Sequence, residues 1–303
     1  MGIRGEQDIF GGVVPYAFVG TKTITHPLID QDASATDGWS HAFATAVQAS
    51  VLPGYAAFTR QDAYAAGLRL LRSGTVRVKA SCGVGGRGQF VVQDEHELEA
   101  AIAQIDEQEL ALCGVALEEN LDDVTTYSVG QVRVAGLAGT YVGTQKMTSD
   151  NGGKEVYGGS ALTVANGDFD ALLAFGPNDA ERLAIEHARM YDTAARQCFP
   201  GFFASRCNYD VISGRNSSGQ WVCGVLEQSW RIGGASSAEV AALEIFARDS
   251  AVRAVRAECT EVYGEHASPP PDGVVYFSGL DPVVGYITKY ATVTPVCRPV
   301  TAI

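Results

Sequence analysis

The chain is predicted to be an α+β protein of one large or two smaller domains, and three observations carry the mixed class. A strand, a glycine-rich loop, a second strand and a capped helix follow one another between Thr75 and Ile105. Two long alternating segments, YSVGQVRVAG and LAGTYVGTQKM, read as antiparallel strands joined at a glycine turn. The run DAERLAIEHARMYDTAARQC, Asp179 to Cys198, has helical length and periodicity.

The remaining elements fall into order around these. Residues 1–30 are short apolar and glycine-rich pieces, and Pro27 with the polar run Asp30 to Asp37 marks a loop. A helix is expected over Trp39 to Ala49, and VLPGYAAF reads as a turn and a short strand. Thr59 with Asp62 is a capping signal for a helix over Asp62 to Arg72, closed by Gly74. TVRVKA and FVVQ are strands. Asp94 and Glu97 cap the helix HELEAAIAQI. ELALCGVALEENL contains a strand that ends at acidic residues. SDNGGKEVYGGS is expected to be a glycine-rich loop. FFASRCNYDVIS and QWVCGVLEQSW are strands around the turn GRNSSG, and a helix is expected over Ala238 to Val262. The prolines at 269–271 mark a linker before a small β-rich tail. The expected divisions are 1–38, an N-terminal segment; 39–115; 116–265; and 266–303, the tail.

Composition narrows the function. The 303 residues carry a formal charge of −13, which disfavours a general binder of nucleic acid or anionic membrane. No apolar run near the start has the length of a signal peptide or membrane span. Seven cysteines without a CxxC pair suit buried thiols in a reducing cytoplasm, and neither they nor the five scattered histidines suggest structural zinc.

The stretch VRVKASCGVGGRGQFVV carries the chemistry. A Walker A loop places its lysine after the glycines and opens a helix, whereas Lys79 precedes them. Gly83, Gly85 and Gly88 match GxGxxG spacing, but a dinucleotide fingerprint also runs into a helix, and here a strand follows. A glycine-rich hairpin that folds over a nucleotide fits the order better. Successive glycine N–H groups form an anion nest, with Lys79 supplying charge and Arg87 or Gln89 a further donor.

This strand–loop–strand–helix order resembles the ATP-grasp superfamily, and the carboxylase version most closely. It is also similar to an uncharacterised bacterial ATP-grasp-like family. The resemblance implies an ATP-grasp fold in which two α+β subdomains clamp the nucleotide, a small lid subdomain over 39–115 and a large subdomain with the metal site over 116–265. Only about twenty residues precede Lys22, so the domain that usually comes first is reduced or missing. It assigns the cofactor-binding set Lys22, Lys79, Gly83, Gly85, Gly86, Arg87, Gly88 and Gln89. In VALEENLDD it places Glu118, Glu119 and Leu121 at the adenine hinge, with Asp122 or Asp123 on the ribose. Lys146 is implied to line the nucleotide. His26 follows Lys22 on what reads as the same loop, where a lone histidine is more often structural.

The same resemblance implies a metal site. Asp210 on one strand and Glu227 on the next match the pattern of an Asp followed by Glu-x-Asn-x-Arg, with Ser229 in place of Asn. Asp210, Glu227 and Ser229 would hold one or two Mg²⁺ ions. Arg231 and Lys79 would be catalytic, with Arg231 near the acyl phosphate. The implied activity is ATP- and Mg²⁺-dependent ligation, in which a carboxylate is activated as an acyl phosphate and attacked by an amine. A phosphotransferase and a non-catalytic ATP-binding module are the alternatives. Small-molecule acid and amine substrates, a cytoplasmic location, no nucleic-acid or membrane partner and a homodimer complete the expectation.

Overall fold

The computed structural model describes residues 2–81 and 88–296. Along the chain come β1 (Gly12–Val13), α1 (His41–Val47), β2 (Gly54–Ala57), α2 (Arg60–Leu71), β3 (Val76–Ala80), β4 (Gln89–Val92), α3 (Glu95–Ala103), α4 (Glu107–Cys113) and β5 (Val115–Glu119). Then follow β6 (Asp122–Val134), β7 (Leu137–Ser149), β8 (Glu155–Asn166), α5 (Phe169–Ala174), α6 (Asp179–Cys198), β9 (Phe203–Ala204), β10 (Arg206–Arg215) and β11 (Trp221–Ser229). Last are α7 (Ser236–Arg248), β12 (Ala254–Tyr263), β13 (Val274–Asp281) and β14 (Gly285–Pro295). The chain is a mixed α+β protein, as its sequence predicts.

It divides into two compact units, residues 1–126 with 182–231, and residues 127–181 with 232–303. The first unit is built on a four-stranded antiparallel sheet in the order β2-β5-β3-β4. The inward faces of β3, β4 and β5 place Val76, Val78, Val92, Val115 and Leu117 against Ala63 and Ala66 of α2 and Leu98 and Ile102 of α3. Both helices start as their sequences dictate. Thr59 accepts a hydrogen bond from the Asp62 N–H at 3.1 Å, and Asp94 from the Glu97 N–H at 2.9 Å. Glu97 Oε2 in turn accepts from the N–H of Gln93, the residue before the cap, at 2.8 Å. The same unit holds the β1-β9 pair and the antiparallel hairpin β10-β11, whose register slips at a bulge between Asp210 and Val211.

In the second unit the strand order is β6-β7-β8-β12-β14-β13, and α7 packs on β12, β14 and β7. Two local expectations are corrected here. The segment expected as a loop, 149–160, turns only at Asp150 to Lys154 and then enters β8. Gly159 serves the sheet and not a turn, because a Cβ there would lie 2.1 Å from the Cys259 carbonyl oxygen. The helix expected over Ala238 to Val262 ends at Arg248, and Ala254–Tyr263 is the strand β12 between β8 and β14. The strand expected within ELALCGVALEENL is β5, ending at Glu119; the residues before it, Glu107–Cys113, form α4, opened by the Asp106 cap on the Glu109 N–H at 2.9 Å.

Candidate active site

The first unit brings together two lysines, a histidine and three carboxylates. Alternation along β3 turns Val76 and Val78 into the core and Arg77 and Lys79 to the opposite face. Lys79 is 2% exposed, and its ammonium donates to Glu118 Oε2 at 2.8 Å and to the Leu226 carbonyl at 3.0 Å. Glu118 is itself buried and also meets His26 Nε2 at 3.0 Å. Burial alone would raise the Glu118 carboxyl. The Lys79 charge and the His26 bond outweigh that and hold it down to about 2. Burial likewise lowers the His26 pKa, opposed by Glu118, so His26 is a neutral donor near pH 7. The glycine at 54, opposite Glu118 in the sheet, makes room for the ring: a Cβ there would lie 2.7 Å from His26 Nδ1.

Lys22 stands at the start of a short 3-10 turn, Lys22–Thr25, capped by Thr21. It is buried and pairs with Glu227 at 3.1 Å. Gln228 explains why the turn sits there. Its buried amide donates to the carbonyls of Val19 at 2.9 Å and Thr21 at 2.6 Å, pinning the segment to β11. Thus Lys22 and Lys79 arrive at adjacent residues of one strand, Glu227 and Leu226.

Asp210 lies directly opposite Glu227 in the hairpin, and Asn208 lies opposite Ser229. Burial, and then the neighbouring Glu227 charge, raises the Asp210 pKa to about 6. Asn208, which donates to it at 2.9 Å, and the Arg206 and Lys22 charges act the other way. Two facing carboxylates, one of them resisting ionisation, make a donor set that a divalent cation would relieve. The residues present therefore fit Mg²⁺ at Asp210 and Glu227. Ser229 fits less well. The guanidinium of the buried Arg206 reaches its hydroxyl at 3.3 Å and its carbonyl at 2.9 Å. Among the described residues no group of three or more His, Cys, Asp or Glu side chains is placed to hold a metal.

The other expected residues fall as follows. Gly88 accepts from the Ala80 N–H at 2.9 Å and closes the base of the β3-β4 hairpin. Gln89 pairs with Lys79 across it and accepts from Arg77 at 3.3 Å. Gly83, Gly85, Gly86 and Arg87 lie outside the described residues. Glu119 ends β5, and burial raises its pKa. Leu121 packs into a small core with Leu52 and Ile212. Asp122 is exposed, and Asp123, at φ 52°, pairs loosely with Arg215 at 3.5 Å. Arg231 is exposed beyond β11, and its carbonyl accepts from Arg206. Lys146 belongs to the second unit, exposed on β7 and paired with Glu258 at 2.9 Å.

Sequence reasoning passed over Arg77. It shares the Lys79 face, and its guanidinium donates to Asn120 Oδ1 at 3.2 and 2.7 Å as well as to Gln89. Both of these partners are neutral amides, and among the described residues no carboxylate pairs with it. The alternation in VRVKA was the signal that could have found it.

The chain belongs to the DUF3182 family, described as a protein of unknown function, whose model matches residues 1–291. No curated protein matches it. Among solved structures it is similar to a biotin carboxylase–β-γ-ATP complex from Campylobacter jejuni at 12% identity and a TM-score of 0.49. That likeness covers 84% of this chain and 61% of the carboxylase, so the chain spans less than two thirds of that protein. It is also similar to phosphoribosylamine–glycine ligase from Thermotoga maritima at 13% identity and a TM-score of 0.46, covering 84% of this chain and 69% of the ligase. A third likeness is to D-alanyl-alanine synthetase A from Vibrio cholerae, at 13% identity and a TM-score of 0.39, over 61% of this chain and 51% of that one. No helix among the described residues is long and apolar enough to cross a membrane.

Proposed function

We propose that this chain is an ATP-grasp ligase that uses ATP and Mg²⁺ to activate a small carboxylic acid for attack by an amine. The observation that carries the reading is the facing pair Asp210 and Glu227, with Lys22 on Glu227 and Lys79 bound beside it at Leu226. An acidic pair with two ammonium groups at its edge suits a polyphosphate that carries its own cation. The sequence resemblance of the Lys79 hairpin to ATP-grasp enzymes supports the same reading.

Asp210 and Glu227 would hold Mg²⁺, which when bound neutralises charge on the phosphate oxygens. Lys22 and Lys79 present fixed positive charge to the phosphates. A substrate carboxylate oxygen bonds to the γ-phosphorus as the bond to ADP breaks, leaving an acyl phosphate and ADP. The amine nitrogen then bonds to the acyl carbon, inorganic phosphate departs and the amine loses a proton. Arg231, exposed just beyond β11, would meet the acyl phosphate. Most of the rate would come from position and charge. Chemistry on ATP also fits a cytoplasmic location.

One observation favours a second reading, a non-catalytic ATP-binding module: Arg206 already engages the Ser229 hydroxyl. Two measurements separate the readings. ATP with Mg²⁺ should raise the melting temperature of the wild type, and Lys79→Ala should weaken ATP binding by about 1.5–3 kcal/mol, the worth of a charged hydrogen bond. ADP release that requires an acid and an amine together supports the ligase. Binding without turnover across an acid–amine panel supports the module, and no ATP binding removes both.

A further inference from the structure

Exposed large apolar side chains are unevenly spread over this protein. Val274, Val275, Tyr276, Phe277, Leu280 and Val283 all fall within ten residues of β13 and the turn after it, and Leu280 is 78% exposed. β13 is the last strand of its sheet. It pairs with β14 on one side, and no strand among the described residues pairs with its other edge. Successive side chains of a strand point to opposite faces, so this apolar run leaves neither face polar.

Edge strands are commonly protected by lysine, proline, shortness or a bulge. β13 has eight residues and carries no lysine or proline. It has a bulge between Val275 and Phe277, beyond which Phe277 to Asp281 pairs in regular register with Lys289 to Gly285. The free edge therefore offers a regular row of backbone donors and acceptors flanked by apolar side chains. That chemistry calls for another strand, itself apolar on both faces and uncharged along its length.

A second copy of β13 meets those conditions. We infer that the protein forms a two-fold dimer in which the β13 edges of two copies pair antiparallel and extend the sheet across the molecule. Electrostatics restricts where two chains of net charge −13 can touch. The stretch Gly273 to Leu280 is uncharged, with Asp272 and Asp281 at its ends. Pairing centred on Phe277 sets Asp281 opposite Gly273 of the second copy and Asp272 opposite its Pro282, so no carboxylates oppose. An isologous contact of this kind closes on itself and stops at two copies.

Sedimentation velocity on the intact chain tests this, from about 1 to about 100 μM, the range that resolves a micromolar equilibrium. The expected result is a concentration-dependent shift from 32.0 kDa to twice that mass. Added salt should tighten the dimer, because it screens the net repulsion while leaving the apolar contact. Phe277→Lys and Leu280→Lys, each at an exposed position, should weaken the dimer by about tenfold or more, with an unchanged melting temperature for the monomer. Hydrogen exchange on the wild type gives a readout free of variant folding: amides of 274–281 should gain protection as concentration rises. A wild type that stays at 32.0 kDa throughout overturns the inference. So does a dimer that both lysine variants leave intact, or protection of β13 that appears only when a different protein is added.

Discussion

The Lys79 ammonium and the Glu118 carboxylate meet at 2.8 Å in the interior of the first unit, both almost fully buried. A buried pair of this kind is costly to break by halves. Glu118→Leu leaves the ammonium without its carboxylate and should cost about 3–5 kcal/mol. Lys79→Met combined with Glu118→Leu removes both charges and should cost less than the sum of the two single changes. Urea unfolding of the four proteins measures this, and additive losses would mean the two groups do not depend on each other.

Acid should erode the same interaction. Glu118 ionises at about 2 in the folded protein, against an ordinary value of 4.5. Its contribution is thus fully present above about pH 4.5 and is lost as pH falls toward 2. The amount is on the order of 3 kcal/mol. Urea midpoints followed down through that window should fall less steeply for Glu118→Gln than for the wild type. Parallel curves would remove Glu118 as the group responsible.

Asp210 behaves in the opposite sense. Its value rises from 3.8 to about 6, so without a cation its contribution to stability drops as pH climbs through that interval. At the proposed site Mg²⁺ would compete with the proton for Asp210. It should therefore raise the melting temperature clearly at about pH 7.5 and little at about pH 5. Asp210→Asn should abolish the difference between the two. A magnesium effect of equal size at both pH values would place the ion elsewhere.

Ser229 is expected to matter less to the metal than Glu227. With its hydroxyl engaged by Arg206, Ser229→Ala should change Mn²⁺ affinity by no more than about twofold, while Glu227→Gln loses about tenfold or more. Titration followed by electron paramagnetic resonance reads both directly. A large loss in the alanine variant would make the serine a ligand.

Arg77 carries a charge whose hydrogen-bond partners are neutral amides, on the face it shares with Lys79. Arg77→Met should weaken ATP binding about tenfold, in keeping with a guanidinium contact to a ligand, and barely move the urea midpoint. Calorimetric titration with ATP checks the first and urea unfolding the second. Unchanged affinity would leave the arginine a purely structural role.

Local signals were legible wherever a short-range rule decided the outcome. Thr59 and Asp94 cap their helices because the bond each accepts lies three residues away. Helix α6 spans Asp179–Cys198, the bounds its pattern suggests. β12 was misread because AVRAVRAECTEVY is rich in helix formers, and only pairing with β8 and β14, far off in sequence, makes it a strand. Gly158 and Gly159 looked like a loop because a close approach between strands and a turn ask for the same residue. In the site, the lysine before the glycine loop was readable from the order of elements, and the facing of Asp210 and Glu227 was implied by the family resemblance of their two strands. The union of His26 with Glu118 was not, since 92 residues separate them and no local pattern links them.

The first unit is assembled from two separated lengths of chain, and the candidate site draws on both. Lys22, His26, Lys79 and Glu118 come from the earlier length, Asp210 and Glu227 from the later. During synthesis the early lysines must wait until the hairpin carrying their acidic neighbours emerges, long after most of the unit's sheet is available. A fragment ending before residue 206 would keep the strands of that sheet yet lack both facing carboxylates, so no contiguous piece cut at that boundary can assemble the candidate site.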